Sequence, residues 1–481
     1  MITHWIQPSL LVLGIAIAVQ FINIKLAHRF NLMDIPSARR RHLNPTPVTG
    51  GVGVLLSWIV GLGVFYANQP DHFQSYSLSI SVLVSGTFTL MILGLVDDLK
   101  GLSPSWKLSV EGLVAIGTLV FEPQLHALCI QWSKSIGSLV WVLGVIWIVG
   151  IINCLNLIDG LDGLAGGTSL LILGAISLLC RTTSGSVLEL PLFVALPLIM
   201  GILPFLRKNW HRAQIFLGDN GSLPMGYLIA TTSLLCHPKN RSWIMVASII
   251  LMLGYPILDT GLAVLRRYQK KQPLFKADRN HLHYRIQRLG LNVPQTALLL
   301  LSISLLLQLT SIGINFVPAH YAVVVIAAVV LSLSSLFHLI YSVEASRVGR
   351  LIETLNVKPI RQRIFNLHKG EMSIHIEIDT LLEAGMMEEQ SRYKDLFSSL
   401  NLLLLSCIRS HSQNYGSLYF KNHEVIITIN QNLTSAAVDL LIEKIRGKIS
   451  GFLELYELQC SLASIPIRVQ RGSPNKLKKA A

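Results

Sequence analysis

Charge is scarce in this chain of 481 residues: only 14% are Asp, Glu, Lys or Arg, against about a quarter in an ordinary soluble domain. Hydrophobic residues make up 51%, and mean hydropathy is +0.54. That balance excludes a soluble protein and points to a polytopic membrane protein. Acid is the scarcer sign, with 26 Asp and Glu against 40 Lys and Arg, for a net charge of +14. The basic excess does not signal nucleic acid, because it lies in short loops between apolar runs, where cytoplasmic loops carry it. The six cysteines (Cys129, Cys154, Cys180, Cys236, Cys407, Cys460) show no CxxC spacing. They read as small apolar packers, not as disulfide partners. A basic n-region and a small-residue cleavage site are also missing, so residues 5–27 are expected to stay as a span and not be removed as a signal peptide.

What is present is a series of apolar runs. A span needs roughly 20 mostly apolar residues, and eleven stretches are candidates, the fourth and eighth of them short: about 5–27, 48–67, 77–97, 106–121, 136–153, 164–180, 187–206, 221–236, 243–265, 295–314 and 319–341. The odd-numbered loops between them hold 17 Lys and Arg, whereas the even loops hold 4: Lys134, Arg181, Lys239 and Arg241. The positive-inside rule then puts the odd loops and the C-terminus in the cytoplasm and the N-terminus outside. A check independent of charge agrees. The polar clusters at 34–47, 97–107, 153–163, 209–222 and 278–285 all fall in odd loops, as one cytoplasmic site requires.

Residues 342–481 change character. Apolar runs shorten, charge rises, and alternating segments (373–378, 418–429) appear beside helical patterns (380–406, 436–455). Asn422-His423 between alternating runs suggests a hairpin. The expected fold class is therefore an all-α polytopic membrane domain over 1–341 with a small α+β cytosolic extension over 342–481. The basic stretch 347–369 suits either anionic headgroups or a solvated linker.

Carboxylates at a hydrocarbon edge cost several kcal/mol each unless paired or metal-bound, so they mark a working site. Asp97, Asp98, Asp159, Asp162 and Asp219 stand at such edges. Asn153, Asn156, Asp159 and Asp162 recur every third residue and form a polar stripe, with Gly160, Gly163, Gly166 and Gly167 allowing close approach; a polar helix interface is the bland alternative. Asp97 and Asp98 repel one another unless a cation neutralises them, and at a helix C-terminus the macrodipole opposes them. Asp219, between Gly218 and Gly221, forms an oxygen-rich corner of the kind magnesium shares with water and phosphate. Phe216 three residues earlier could stack on a base or simply fill a core. Arg279, His281 and His283 in the ninth loop offer donors to a diphosphate; an HxH pair also suits zinc, but no third soft ligand stands nearby. The first loop, with Arg39, Arg40, Arg41 and His42, adds cationic charge. Such a rim suits two phosphorylated substrates whose repulsion must be screened before they react.

These motifs, in this order, resemble the polyprenyl-phosphate N-acetylhexosamine-1-phosphate transferase family: 153–167, 216–222, 96–98 with 101–104 and Lys107, and 278–285. The resemblance covers residues 1 to about 341. It implies a polytopic, Mg2+-dependent enzyme (Mn2+ is the alternative) that moves a sugar 1-phosphate from a UDP-aminosugar to a polyprenyl phosphate and releases UMP. By that resemblance Asp219 and Asn156 hold the metal, and Asp97 and Asp98 are the catalytic pair. Asn153, Asp159 and Asp162 line the nucleotide-sugar pocket, with Asn209 and Phe216 around the uridine and Arg279, His281 and His283 at the diphosphate. Lys107, with Arg40 and His42 of the first loop, meets the lipid phosphate. The Asn-His-Leu-His form at 280–283 resembles members acting on UDP-N-acetylglucosamine, whereas the lipid I-forming translocase carries three consecutive histidines.

The chain departs from the family in two places: Tyr284 stands where a histidine is usual, and the C-terminal extension is unusually long. The expected activity transfers N-acetylglucosamine 1-phosphate to undecaprenyl phosphate at the plasma (inner) membrane and starts a lipid-linked cell-envelope glycan. The alternatives are lipid I synthesis from a muramyl-pentapeptide donor and, from another class, a transporter. Transporters usually show internal repeats and midplane charges, and neither is seen here. A second copy of the chain and a cytosolic protein docking on 342–481 complete the candidate partners.

Overall fold

A computed structural model of the chain describes residues 3–34, 45–182, 189–236, 243–269, 271 and 281–354, one residue at 443, and the strands of a C-terminal sheet. The expected site residues Arg40, His42 and Arg279 lie outside the described residues. Two compact units emerge, the helical body within Met1–Ile35, Asn44–Tyr284 and Val293–Ser334, and a second that contains the C-terminal strands.

In chain order the helices are α1 (Thr3–Arg29), α2 (Gly50–Asn68), α3 (Pro70–Gln74), α4 (Ser77–Lys100), α5 (Pro104–Phe121), α6 (Pro123–Ile136), α7 (Leu139–Ile158) and α8 (Leu164–Thr182). They continue with α9 (Glu189–Asn209), α10 (Asp219–Leu235), α11 (Trp243–Met252), α12 (Gly254–Gln269), α13 (Leu282–Arg288), α14 (Val293–Gly313) and α15 (Ala319–Thr354). Each of the eleven expected stretches contains a helix among the described residues. Among the described residues, seven helices are long and apolar enough to cross a membrane, or nine if each of two bent pairs is one span. The other two expected spans, α8 and α10, are short.

The bends have local causes. Ser103 precedes Pro104, which sits in the first turn of α5, where its missing N–H costs nothing. Pro123 stops α5, and α6 leaves at 84°; α6 was not among the expected helices. Between α11 and α12 the bend is 73°, and Pro256 cannot donate to the carbonyl four residues back.

α10 is the centre of the body. Its residues from Asn220 to Ser233 are all buried, so it has no lipid-facing side. Its main neighbours are α4 and α7, with α2 and α9 also against it. α4 comes so close that a methyl group added at Gly94 would overlap the Asp219 carbonyl. Around this centre the helices alternate direction. The ends of α4, α7 and α9 and the starts of α5 and α10 share one rim, while Trp5, Phe65 and Phe193 cluster at the opposite ends of α1, α2 and α9.

Strands β1 (Met33–Asp34) and β2 (Thr46–Pro47) pair antiparallel. Pro47 then accepts the Phe216 N–H at 2.8 Å, while Gly50 and Gly51 donate to the Phe216 and Leu217 carbonyls at 2.9 Å. The orphan donors at the start of α2 thus find their partners in the loop before α10.

In the second unit β3 (Met372–Glu377), β4 (Ser417–Lys421), β5 (Glu424–Ile429) and β6 (Ile467–Arg471) form an antiparallel sheet in the order β4-β5-β3-β6. The β4–β5 pairing brings Lys421 opposite Glu424, the hairpin partners expected around Asn422-His423. The alternation did not announce β6. The helical patterns expected at 380–406 and 436–455 lie outside the described residues, apart from residue 443.

Gly94→Ala is expected to cost about 1–3 kcal/mol by overpacking, lowering the melting temperature of the detergent-solubilised protein. Gly14→Ala, where an added methyl meets nothing within 4 Å, should leave it unchanged.

Candidate active site

The last turn of α4 carries Asp97 and Asp98, which the helix turns in different directions. Asp98 faces α10. One oxygen accepts the Asp219 N–H at 3.1 Å; the other accepts the Asn220 N–H at 3.1 Å and the Asn220 side-chain amide at 2.7 Å. It thereby caps the first turn of α10 from a neighbouring helix, where a negative charge is favoured. Gly218, the residue before α10, has φ +73°, and a methyl there would sit 2.8 Å from the Asp98 carboxylate. Only glycine meets both conditions.

Asp97 faces the start of α5. The Leu102 N–H donates to one oxygen at 2.5 Å and Lys107 Nζ to the other at 2.9 Å. The same ammonium reaches Asp219 at 2.5 Å, so one lysine joins carboxylates from two helices. The far side of Asp219 accepts the Asn156 amide at 2.8 Å, and that amide also donates to the Ser222 hydroxyl at 2.9 Å. The expected metal and catalytic residues Asp97, Asp98, Asn156 and Asp219 therefore gather at one corner with Lys107.

The donors at this corner are all oxygen: Asp97, Asp219, the Ser222 hydroxyl and the Asn156 carboxamide. Among the described residues no three His, Cys, Asp or Glu side chains form a metal cage by themselves. The corner nevertheless fits Mg2+, which takes one or two carboxylates and leaves its remaining positions to water and phosphate. The Lys107 ammonium already occupies the cationic position between two carboxylates. Asn156 turns its NH2 end to Asp219, so metal ligation by Asn156 would need its amide turned over.

Other expected residues brace the loops. The Asn209 carbonyl accepts the Gly163 N–H at 2.9 Å, and its NH2 donates to the Ile215 carbonyl at 2.8 Å. Asn209 is buried, and its amide ties two loops together. Asp162 accepts the Ala213 N–H at 3.1 Å. Asn153 donates to Glu111 at 2.5 Å and to the Val149 carbonyl at 2.9 Å. Phe216 is half-buried, with both backbone polar groups bonded to the β2–α2 segment. Asp159 lies just beyond α7; burial, and after it the charges of Asp219, Asp98 and Asp162, hold its carboxyl well above the ordinary value.

His281 and His283 stack nearly parallel, with ring centroids 5.8 Å apart. A methyl at Gly160 would lie 3.1 Å from His283 Nε2 and 3.6 Å from the Tyr284 hydroxyl. The histidine segment therefore meets the turn between Asp159 and Asp162. Tyr284, the departure from the family pattern, stands at the same turn.

Four residues escaped the sequence reading: Glu111, Asn220, Ser222 and Asp259. Glu111 and Asp259 are buried carboxylates inside apolar runs, and the rule that singled out the rim aspartates would have found them. Glu111 follows Lys107 by one helical turn and holds Asn153. Asp259 accepts the His281 ring and the Leu282 N–H. Asn220 and Ser222 lay in a cluster read for Asn209, Phe216 and Asp219 alone.

Asp98→Ala removes the partner of three N–H donors at the start of α10. It is expected to cost about 1–3 kcal/mol and to lower the melting temperature more than Asp97→Ala does.

Residues 80–237 match the family model described as glycosyl transferase family 4. That stretch holds Asp97, Asp98, Lys107, Asn153, Asn156, Asp159, Asp162, Asn209 and Asp219. The chain is 32% identical over 294 residues to the probable undecaprenyl-phosphate N-acetylglucosaminyl 1-phosphate transferase of Bacillus subtilis (strain 168), across 60% of this chain and 78% of that protein. It is 30% identical over 340 residues to the decaprenyl-phosphate N-acetylglucosaminephosphotransferase of Mycobacterium tuberculosis (strain ATCC 25618 / H37Rv), across 64% and 82%. Over 376 residues it is 28% identical to the undecaprenyl-phosphate alpha-N-acetylglucosaminyl 1-phosphate transferase of Yersinia pestis, across 74% and 96%. With its carboxylates gathered around one lysine at the rim of a helical body, and with relatives matched over most of their length, this chain belongs to glycosyl transferase family 4, among the polyprenyl-phosphate sugar-1-phosphate transferases.

Proposed function

We propose that this chain transfers N-acetylglucosamine 1-phosphate from UDP-N-acetylglucosamine to undecaprenyl phosphate, releasing UMP and starting a lipid-linked cell-envelope glycan. The observation that carries this reading is the similarity to transferases of that name, matched over 78% and 96% of two of them. The proposed setting is the plasma membrane, crossed by eleven spans, with the N-terminus outside and the site and an α+β extension in the cytoplasm. The bias of Lys and Arg toward the odd loops supports that orientation.

In the proposed reaction a lipid phosphate oxygen attacks the β-phosphorus of the donor, a new P–O bond forms, and the bond to UMP breaks. Both substrates are anionic, and Lys107 supplies positive charge where they meet. Asp98 is committed to the start of α10, so its part is to hold Asp219 in place. Asp97, bonded to Lys107, orients the lysine and the lipid phosphate and is placed to accept a proton from a monoanionic phosphate; a dianion needs only positioning. Asp219, with Asn156 beside it, would hold Mg2+, which when bound polarises phosphorus and neutralises charge on the leaving phosphate. Asn209 and Asp162 keep the loops in the shape the nucleotide meets.

The test is UMP release by the purified full-length protein from a panel of UDP-sugars with undecaprenyl phosphate, with and without Mg2+. Release from UDP-N-acetylglucosamine that chelation abolishes is expected; release only from the muramyl-pentapeptide donor would overturn the assignment. Asp219→Ala should lose turnover by at least about 100-fold, the scale of losing one charge-stabilising group, at unchanged membrane expression.

A further inference from the structure

Asp259 belongs to none of the motifs of the sequence, yet it is 1% exposed, in the first half of α12 just past the bend. A carboxylate so placed is costly unless its oxygens are satisfied. Both are. One accepts the Leu282 N–H at 2.8 Å and the other faces His281 Nδ1 at 3.1 Å. The two partners are adjacent residues more than twenty positions down the chain, so the carboxylate fixes both the backbone and the ring at that point.

An ionised carboxylate only accepts hydrogen bonds. His281 Nδ1 must therefore carry the hydrogen, whether the ring is neutral or protonated. Nε2 is then the ring nitrogen left to meet a ligand. The ring plane is fixed as well, and it lies within 7° of the His283 ring, which abuts Gly160 between Asp159 and Asp162. The hold exerted by Asp259 thus extends through two imidazoles to the turn that borders the acidic corner.

We propose that Asp259 is a positioning residue for the reaction: its bond to His281 fixes the Nδ1–H form and the plane of that ring, so that Nε2 is directed to the anionic phosphates of the sugar-nucleotide donor. This rests on the transferase reading for the identity of the ligand, though not for the hydrogen position. Asp259 itself touches no substrate. It acts only through His281 and, by stacking, His283.

The obvious variant is Asp259→Asn, which keeps the size but offers an NH2 group to Nδ1 and so favours hydrogen on Nε2. Its kcat/KM for UMP release is expected to fall on the order of 10-fold to 100-fold, the scale known for metal-bound histidines that lose their orienting partner, with the KM for the UDP-sugar rising. Asp259→Glu, which restores the acceptor, should recover part of the loss. Nitrogen-labelled histidine spectra of the full-length wild type, assigned by the resonance missing from His281→Gln, should show hydrogen on Nδ1. Hydrogen on Nε2 with Nδ1 bare would overturn the proposal, and so would an Asn variant with wild-type kcat/KM. If the wild type releases no UMP from any UDP-sugar, the transferase reading fails, and the spectrum alone decides whether Asp259 orients the ring. If Asp259→Asn does not fold, the wild-type spectrum still decides.

Discussion

Two carboxylates carried by different helices share a single ammonium at the rim of this protein, and the candidate site is organised around that contact. Asp97 lies in the last turn of α4 and Asp219 begins α10, and Lys107 reaches both. Without the lysine the two acids would confront one another in a partly buried corner, an arrangement that raises the cost of ionising either. Their approach depends on backbone proximity, because the bare Cα of Gly94 lets α4 lie directly against the start of α10. Asp98 then locks the two helices together through the N–H groups of Asp219 and Asn220. Adjacent aspartates in the sequence thus have separate duties: one faces the cation, the other secures the helix that bears its partner.

Behind this corner stands a second row of polar groups that holds the loops. Asn209 joins Gly163 to Ile215, Asp162 holds Ala213, and Glu111 holds Asn153. Several residues that the family resemblance assigns to the nucleotide spend their hydrogen bonds on the protein. A buried amide satisfied at both ends stabilises loop shape, so the form of this rim rests in part on these side chains.

Apolar length and the spacing of polar clusters made the helical body legible, because apolar runs of spanning length must become helices in lipid. They also made legible the convergence of Asp97, Asp98, Asn156 and Asp219, since each ends or begins such a run. Helix breaks were harder to read. The bend before Pro256 occurs inside apolar sequence, where hydropathy is blind to direction, and the helix after Pro123 lies in a stretch between two apolar runs that hydropathy reads as a loop. Buried partners were hardest. Glu111 and Asp259 are single acids in long apolar stretches, and only three-dimensional placement reveals that one answers Asn153 and the other His281. The alternating pattern exposed β3, β4 and β5, but β6, separated from them by many residues, had no neighbour in sequence to announce it.

The enclosure of α10 from Asn220 to Ser233 has a bearing on how this protein lives with its surroundings. Helices that touch acyl chains tilt or shift when the bilayer thickens or thins. α10 is wrapped by other helices, and its leading residue is the aspartate of the cation corner. Changes in lipid length will be absorbed by the outer helices before they reach that aspartate, so the chemistry at the rim is insulated from the elastic moods of the membrane that supplies one of its substrates.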